Sequence, residues 1–433
     1  MYDVISMILA GGQGSRLSIL AEHRAKPAVP FAGIYRIIDF TISNVMHSNI
    51  PIVGILTQYK PYSLMNHIST GQAWGFTGRK HQARILPPYI GEVDSDWYAG
   101  TADAIYQNLN FIDRFEPNLV VVLSGDHIYK MDYNEILDFH REKKADVTIA
   151  VQEVPFEDVH RFGVSVIDED QRMVDFIEKK KDAPSNLASL GIYVFNRKFL
   201  DDILREDATD TESSHDFGKN IIPNIIQTNR VYCYLFKGYW RDVGTIDAYW
   251  RTHQEILDPG SGLDLAKWEI HTQINLDNLT NVLPFKVTSH ARIHNSIISP
   301  GCVIEGEVRD SVLSPGVRIG PGAVVNQSIV MNNSDIREKA HVTHAILDKN
   351  AVIGKKSKVG DGKSIPNQLA PQLLSCGLTV FGKNAILPDG AKVGKNCLIY
   401  PDVMEEHYQS HTINSGETVK PPPVKKTNKR QKK

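Results

Sequence analysis

Cysteine is scarce: only Cys233, Cys302, Cys376 and Cys397 occur in 433 residues, and no two stand at a metal-ligand or redox spacing. That argues against a disulfide framework or a cysteine zinc site and fits reduced thiols in a cytoplasm. Long apolar runs are also missing, none being long enough to span a bilayer. The chain enters its first strand almost at once, so a cytoplasmic protein with no signal peptide and no membrane partner is expected. Neither charge dominates, with 48 Lys and Arg against 50 Asp and Glu, which disfavours a dedicated nucleic-acid binder. Gly-x-Ser-x-Gly, His-Glu-x-x-His and Cys-x-x-Cys are all lacking. Serine-elbow hydrolysis, zincin chemistry and dithiol exchange therefore drop out.

What is present begins at the head of the chain. Val4 to Leu9 is a short apolar run that reads as a buried parallel strand, and it breaks into Gly11, Gly12, Gly14, Ser15 and Arg16, with Lys26-Pro27 ten residues on. Glycines directly after a strand let backbone N–H groups approach an anion, and the following helix N-terminus adds its dipole. Arg16 offers a fork and Lys26 a point charge to phosphate oxygens. The expectation is a grip for a nucleoside triphosphate. Two commoner glycine loops fit less well. A Walker loop needs Gly-Lys-Ser/Thr, and Gly14-Ser15-Arg16 stands here instead. The dinucleotide fingerprint matches at Gly12 and Gly14 but meets Leu17 at its third glycine, although Asp39 lies at a ribose-binding distance.

At this length two domains are expected. Up to about His253, strands at Pro51 to Thr57, Leu119 to Leu123, Val147 to Val151 and Leu190 to Phe195 alternate with helical stretches. The helices are expected over Tyr35 to His47, Thr101 to Arg114 and Asn134 to Lys144. Such alternation predicts an α/β, Rossmann-like layer fold with a mainly parallel sheet, whose ligands gather at the strand C-termini. Beyond Ala291 aliphatic residues recur every six positions, as Leu313, Ile319, Val325, then Leu347, Ile353, Val359, then Leu387, Val393, Ile399. Hexapeptide periodicity predicts a parallel β-helix. The expected division is 1–255 catalytic, 256–285 linker, 286–404 β-helix, and 405–433 a basic, solvated, disordered tail.

Four further patterns point to chemistry. Asp126 follows a buried strand in Ser124-Gly125-Asp126-His127, and Asp242 sits among glycines in Gly238 to Thr245. Either carboxylate could hold a hard cation such as Mg2+, which needs few protein ligands when phosphates supply the rest. Equally, Asp126 could cap a turn and Asp242 could pair with Arg241. Glu178-Lys179 sets an acid beside a base, as a ligand-binding pair or a solvated ion pair. Trp97 to Ala104 reads as a Thr-capped helix start that can also bind. An enzyme joining a sugar phosphate to a nucleoside triphosphate would need nothing more. The phosphate monoester is already anionic, so alignment and charge neutralisation suffice.

Taken in order, LAGGQGSRL, RAKPAVPF, YRIIDF, WYAGTADA, SGDHIYKMDY, RFGV, FIEK, SLGIYVF, DFGKNIIP and GYWRDVGTIDAYW, followed by the hexapeptides, resemble bacterial glucose-1-phosphate adenylyltransferases (ADP-glucose pyrophosphorylases) from about Ser6 to Ile399. The resemblance implies a nucleotidyltransferase domain joined to a left-handed β-helix, a tetramer, magnesium, and the substrates ATP and glucose 1-phosphate, for glycogen synthesis. It implies that Gly11, Gly12, Gly14, Arg16 and Lys26 bind the nucleotide, and that Asp126 and Asp242 hold the metal. Tyr98, Gly163, Glu178, Lys179 and Ser189 would meet the sugar phosphate. Where many members carry Lys-Arg before Ala-Lys-Pro, His23-Arg24 stands here, and Phe31-Ala32-Gly33-Ile34 replaces the usual FGGK. Arg24 and Arg36 would then remain as the basic positions of an effector pocket with weakened hold on a phosphorylated activator. Three alternatives stay open: another triphosphate, a non-catalytic regulatory subunit, and an acyltransferase using His341 or His344.

Overall fold

The computed structural model describes residues 2–12, 14–88, 97–274 and 283–423. Residues 275–282, late in the expected linker, and the basic run from 424 onward lie outside these residues.

The first domain is built on a nine-stranded sheet with Val4–Leu9 near its middle. That strand pairs in parallel with Ile52–Leu56 on one side and Leu119–Ser124 on the other. Side chains alternate across it, as the two-residue period of a strand requires. Ile5 and Met7 join Val120, Val122, Ile105 and Ile112 on one face, while Val4 and Ile8 join Val121, Leu123, Ile38 and Val45 on the other. Both faces are covered, which explains why the strand reads as continuously apolar. Leu187–Asn196 runs antiparallel to Leu119–Ser124, so the sheet is mixed although its centre is parallel.

Several expected boundaries move. The helix after Tyr35 starts at Ile37, because Tyr35–Arg36 pairs with Pro30–Phe31 as a small ribbon. The stretch from Thr101 divides into helices Thr101–Tyr106 and Leu109–Asp113. Asn108 causes the break: its side-chain amide turns back to the carbonyl of Ala104 and to the Tyr98 hydroxyl. Leu265–Trp268, inside the expected linker, is helical, and Trp268 is buried edge-on against Phe40 and Tyr239.

The second domain is the left-handed parallel β-helix that the hexapeptides predict, with three parallel sheets as its sides. Ile319, Ile336, Ile353 and Leu387 stack in one column, and Val325, Val342, Val359 and Val393 in the next. Leu313, Val330, Leu347, Phe381 and Ile399 form the third. Its end corrects the expectation at 404. Thr412–Ile413 pairs with Lys392–Val393, and Thr418–Val419 with Leu398–Ile399. A short helical turn at Glu405–His407 interrupts the period without ending the coil.

One side of the β-helix is docked on the first domain. Leu17, Ile19 and Leu20, from the Ser15–Ala21 segment after the glycine loop, share a buried cluster with Ile329, Ile346, Val380 and Leu398. The loop that carries Arg16 is therefore backed by the second domain.

His253, fully buried at the end of helix Ile246–Leu257, lends the fold a pH dependence. Nδ1 donates to the carbonyl of Tyr249 and Nε2 accepts from the Ala32 amide, so the ring is neutral. Burial pushes its pKa down to about 4, against the small upward pull of the Tyr249 carbonyl. Between about 4 and 6.5 the unfolded chain takes up this proton and the folded one does not. Stability should thus be full above that window and fall on acidification through it, by on the order of 3 kcal/mol. Thermal unfolding followed between those limits checks this, and H253Q should flatten part of the slope.

Candidate active site

Three chain segments converge beyond the strand C-termini. The first is the glycine loop, where Gly14 adopts φ 66 and a Cβ there would lie 3.0 Å from Ala21 and 3.1 Å from Lys26. Glycine lets the chain fold tightly back, so that Lys26 comes under the loop. The second is Leu119–Ser124, which delivers Asp126. The third is Trp240–Asp242, an antiparallel partner of His127–Tyr129 with Asp242 opposite His127. That register brings the two carboxylates together.

Lys26 joins them. Its Nζ donates to Asp126 Oδ2 at 2.8 Å and to Asp242 Oδ1 at 2.9 Å. Burial alone would lower the pKa of the ammonium, but the paired carboxylates outweigh it and the net shift is upward. Burial would likewise raise both acids. Lys26 and His127, with the Ser124 hydroxyl donating to Asp126, pull Asp126 well below the carboxylate range and Asp242 to about 2. Both acids are therefore ionised at neutral pH. Arg16 Nη2 stands 3.7 Å from Asp242 Oδ2, with half its side chain exposed, and Arg161 Nη2 stands 3.6 Å from the same oxygen.

The fit of a divalent cation can be tested on these donors. Among the described residues no cluster of three or more His, Cys, Asp and Glu side chains occurs. Two ionised carboxylates side by side do occur, and Mg2+ takes one or two carboxylates with phosphate oxygens and water. Asp126 and Asp242 fit a metal that arrives with a triphosphate, and not one held by the protein alone.

Two pockets meet here. One, of about 240 Å³, is lined by Glu178, Lys179, Gly163, Ser189, Arg16 and Asp242 among others. Glu178 and Gly163 are opposite each other on antiparallel strands, and a Cβ at Gly163 would stand 2.7 Å from Glu178 Oε2. Lys179 Nζ pairs with Glu178 Oε1 at 2.7 Å while remaining largely exposed. The other pocket, of about 380 Å³, is lined by Gly11, Gly12, Gln58, Tyr59 and Tyr98. Leu9, Thr101, Ser124, Asp126 and Asp216 line both.

Most of the expected residues are thus brought together, with three exceptions. Tyr98 is separated from Glu178 and Lys179: it lies buried in the glycine-loop pocket, its hydroxyl donating to the carbonyl of Leu86. Arg24 is committed to the second domain, with Nη2 at 2.8 Å from both carboxylate oxygens of Asp348. Arg36 is buried as well and donates to the carbonyl of Ala28 and to Ser63. Both arginines are buried and engaged, Arg24 with Asp348 and Arg36 with Ala28 and Ser63. His344 packs edge-on against Trp250, and burial lowers its pKa.

Asp216 was given no role in the sequence, and Thr101 only that of a helix cap. Asp216 caps the turn after it, accepting from the Gly218 and Lys219 amides, and accepts from the Thr101 hydroxyl at 3.0 Å. Thr101 is the first residue of its helix and not the expected cap; its hydroxyl accepts from the Phe217 amide. Asp-Phe-Gly after a polar run is the one signal that could have marked this cap.

Comparison with known proteins agrees with this geometry. Residues 5–259 match the nucleotidyl transferase family, and residues 283–367 match a GlmU-like C-terminal hexapeptide family. A protein named glucose-1-phosphate adenylyltransferase from Thermotoga neapolitana is 48% identical, over 97% of this chain and 99% of its own. One of the same name from Acetivibrio thermocellus is 42% identical, over 96% and 97%. On this likeness along nearly its whole length, the chain belongs to the glucose-1-phosphate adenylyltransferase family, a family of nucleotidyltransferases.

Proposed function

We propose that the chain transfers the adenylyl group of ATP to glucose 1-phosphate, releasing pyrophosphate and forming ADP-glucose for glycogen or a related α-glucan. One observation carries this reading: a pocket on the glycine loop and a pocket on Glu178-Lys179 share Asp126. Two substrates seated there would meet beside that carboxylate. Glu178 accepts hydrogen bonds from sugar hydroxyls, as an ionised carboxylate must. Lys179 neutralises the sugar phosphate. The glycine-loop amides hold the triphosphate, and Arg16 with Lys26 balances the charge that builds on the departing pyrophosphate. Asp126 and Asp242 would hold Mg2+, which when bound neutralises phosphate oxygens and makes the α-phosphorus easier to attack. No general base is required, since the attacking phosphate oxygen is already ionised.

The same reading takes the protein as a cytoplasmic homotetramer, open to small-molecule effectors. Among the described residues no helix is long and apolar enough to cross a membrane. The test is pyrophosphate release from ATP, UTP, dTTP and GTP with glucose 1-phosphate and Mg2+. ATP should exceed each of the others by at least about tenfold in kcat/KM, a difference of about 1.4 kcal/mol. Faster release from another triphosphate would change the assigned base. No release from any would leave a non-catalytic subunit.

A further inference from the structure

Arg161 has no place in the reading above, yet it lies in the pocket of Glu178 and Lys179 and not in that of the glycine loop. It is the last residue of the helical turn Phe156–Arg161. The next residue, Phe162, accepts from the Lys179 amide at 3.0 Å. That backbone bond ties the segments bearing Arg161 and Lys179 together at one end of the pocket. Phe162 is itself held edge-on against Trp240, at 5.5 Å.

The guanidinium is aimed by three contacts. It lies over the Phe162 ring at 5.3 Å, Nη1 donates to Asp158 at 3.2 Å, and Nη2 faces Asp242 Oδ2 at 3.6 Å. The last separation is longer than a hydrogen bond, and Asp242 already accepts from Lys26. A side of the fork facing the pocket is thus left for a ligand, with its side chain about one-quarter exposed. Lys179 alone is a mobile point charge shared with Glu178. A phosphate monoester carries up to two negative charges and three peripheral oxygens, which a planar fork matches in a way that an ammonium does not.

We propose that Arg161 binds the phosphoryl group of the sugar phosphate together with Lys179, and turns it toward Asp126. This assignment rests on the functional reading above. Steady-state kinetics of R161M and R161K against the full-length wild type test it in both directions. In synthesis, R161M should raise KM for glucose 1-phosphate by about tenfold to a hundredfold, with KM for ATP within about threefold. R161K should recover part of the loss. In reverse, KM for ADP-glucose should rise and that for pyrophosphate should stay, because ADP-glucose retains the phosphoryl group in question. An unchanged KM for glucose 1-phosphate with normal wild-type turnover overturns the assignment alone. A rise confined to pyrophosphate moves Arg161 to the departing group and overturns it too, as does a pure loss of kcat, which would mark Arg161 as support for Asp242. A wild type that releases no pyrophosphate would overturn the functional reading first, and this assignment with it.

Discussion

Asp126→Asn should lower kcat by about three orders of magnitude while the protein stays folded. Asparagine keeps the shape of the side chain and removes its charge. In the folded protein that charge lies between Lys26 and the Ser124 hydroxyl, where the two pockets meet. Removal of a single preorganised electrostatic group from an active site commonly costs about a hundredfold to a thousandfold. Here two effects add, since the remaining Asp242 is left alone to hold a divalent cation and remains paired with Lys26. The fold should persist with a lowered melting temperature, because asparagine keeps the side chain's shape and Asp242 still pairs with Lys26, while the attraction that holds Asp126 ionised is lost. Turnover at saturating substrates, with circular dichroism and a melting curve beside it, measures both sides of the claim. A variant within about tenfold of the wild type would mean that Asp126 is a turn-forming residue only.

The parts of this site that could be read in advance are those where chemistry and backbone geometry coincide in a short stretch. A buried strand that breaks into glycines and then cations suits an anion, so Gly14, Arg16 and Lys26 stood out. The β-helix was legible because its period is written every six residues. What escaped detection depends on distant pairing. Thr101 and Asp216 are 115 positions apart, and no local pattern ties them. Arg161 acts from the end of a turn whose sequence reads as an ordinary charged surface. The resemblance set Tyr98 beside the sugar phosphate, whereas its ring lines the glycine-loop pocket and its hydroxyl donates to the Leu86 carbonyl. One long-range feature did leave a trace. Several β-helix strands pair an inward aliphatic residue with an outward charge, as in Arg318-Ile319, Lys358-Val359 and Lys392-Val393. The side that docks on the first domain instead reads Ile329-Val330, Ile346-Leu347, Val380-Phe381 and Leu398-Ile399. On that side both adjacent apolar residues are buried, one inside the coil and one against the first domain.

The same docked side sets the second large effect. Arg24→Ala and Asp348→Ala should each destabilise the protein by about 3–5 kcal/mol, because each leaves a buried charge without its partner. The two residues are 324 positions apart, almost wholly buried, and joined through both carboxylate oxygens. An exposed pair such as Arg251 with Asp247 should by contrast contribute about 1 kcal/mol or less. Replacing both partners at once, as R24M with D348L, should restore most of the loss, since neither charge is then stranded. Denaturant unfolding of the wild type, R24M, D348L and the double variant forms a double-mutant cycle that reads the coupling directly. Activity should report on the same contact. Arg24 lies between Ser15–Ala21 and Lys26, so loosening it from the β-helix loosens the support under Arg16 as well. KM for ATP should therefore rise in R24A at temperatures where the variant is still folded. An anionic effector that took Arg24 Nη2 would displace Asp348, and it would have to supply that lost stabilisation from its own binding energy. If R24A melted within about 1 kcal/mol of the wild type, the pair would be dispensable, and the arginine would again be available to such a ligand.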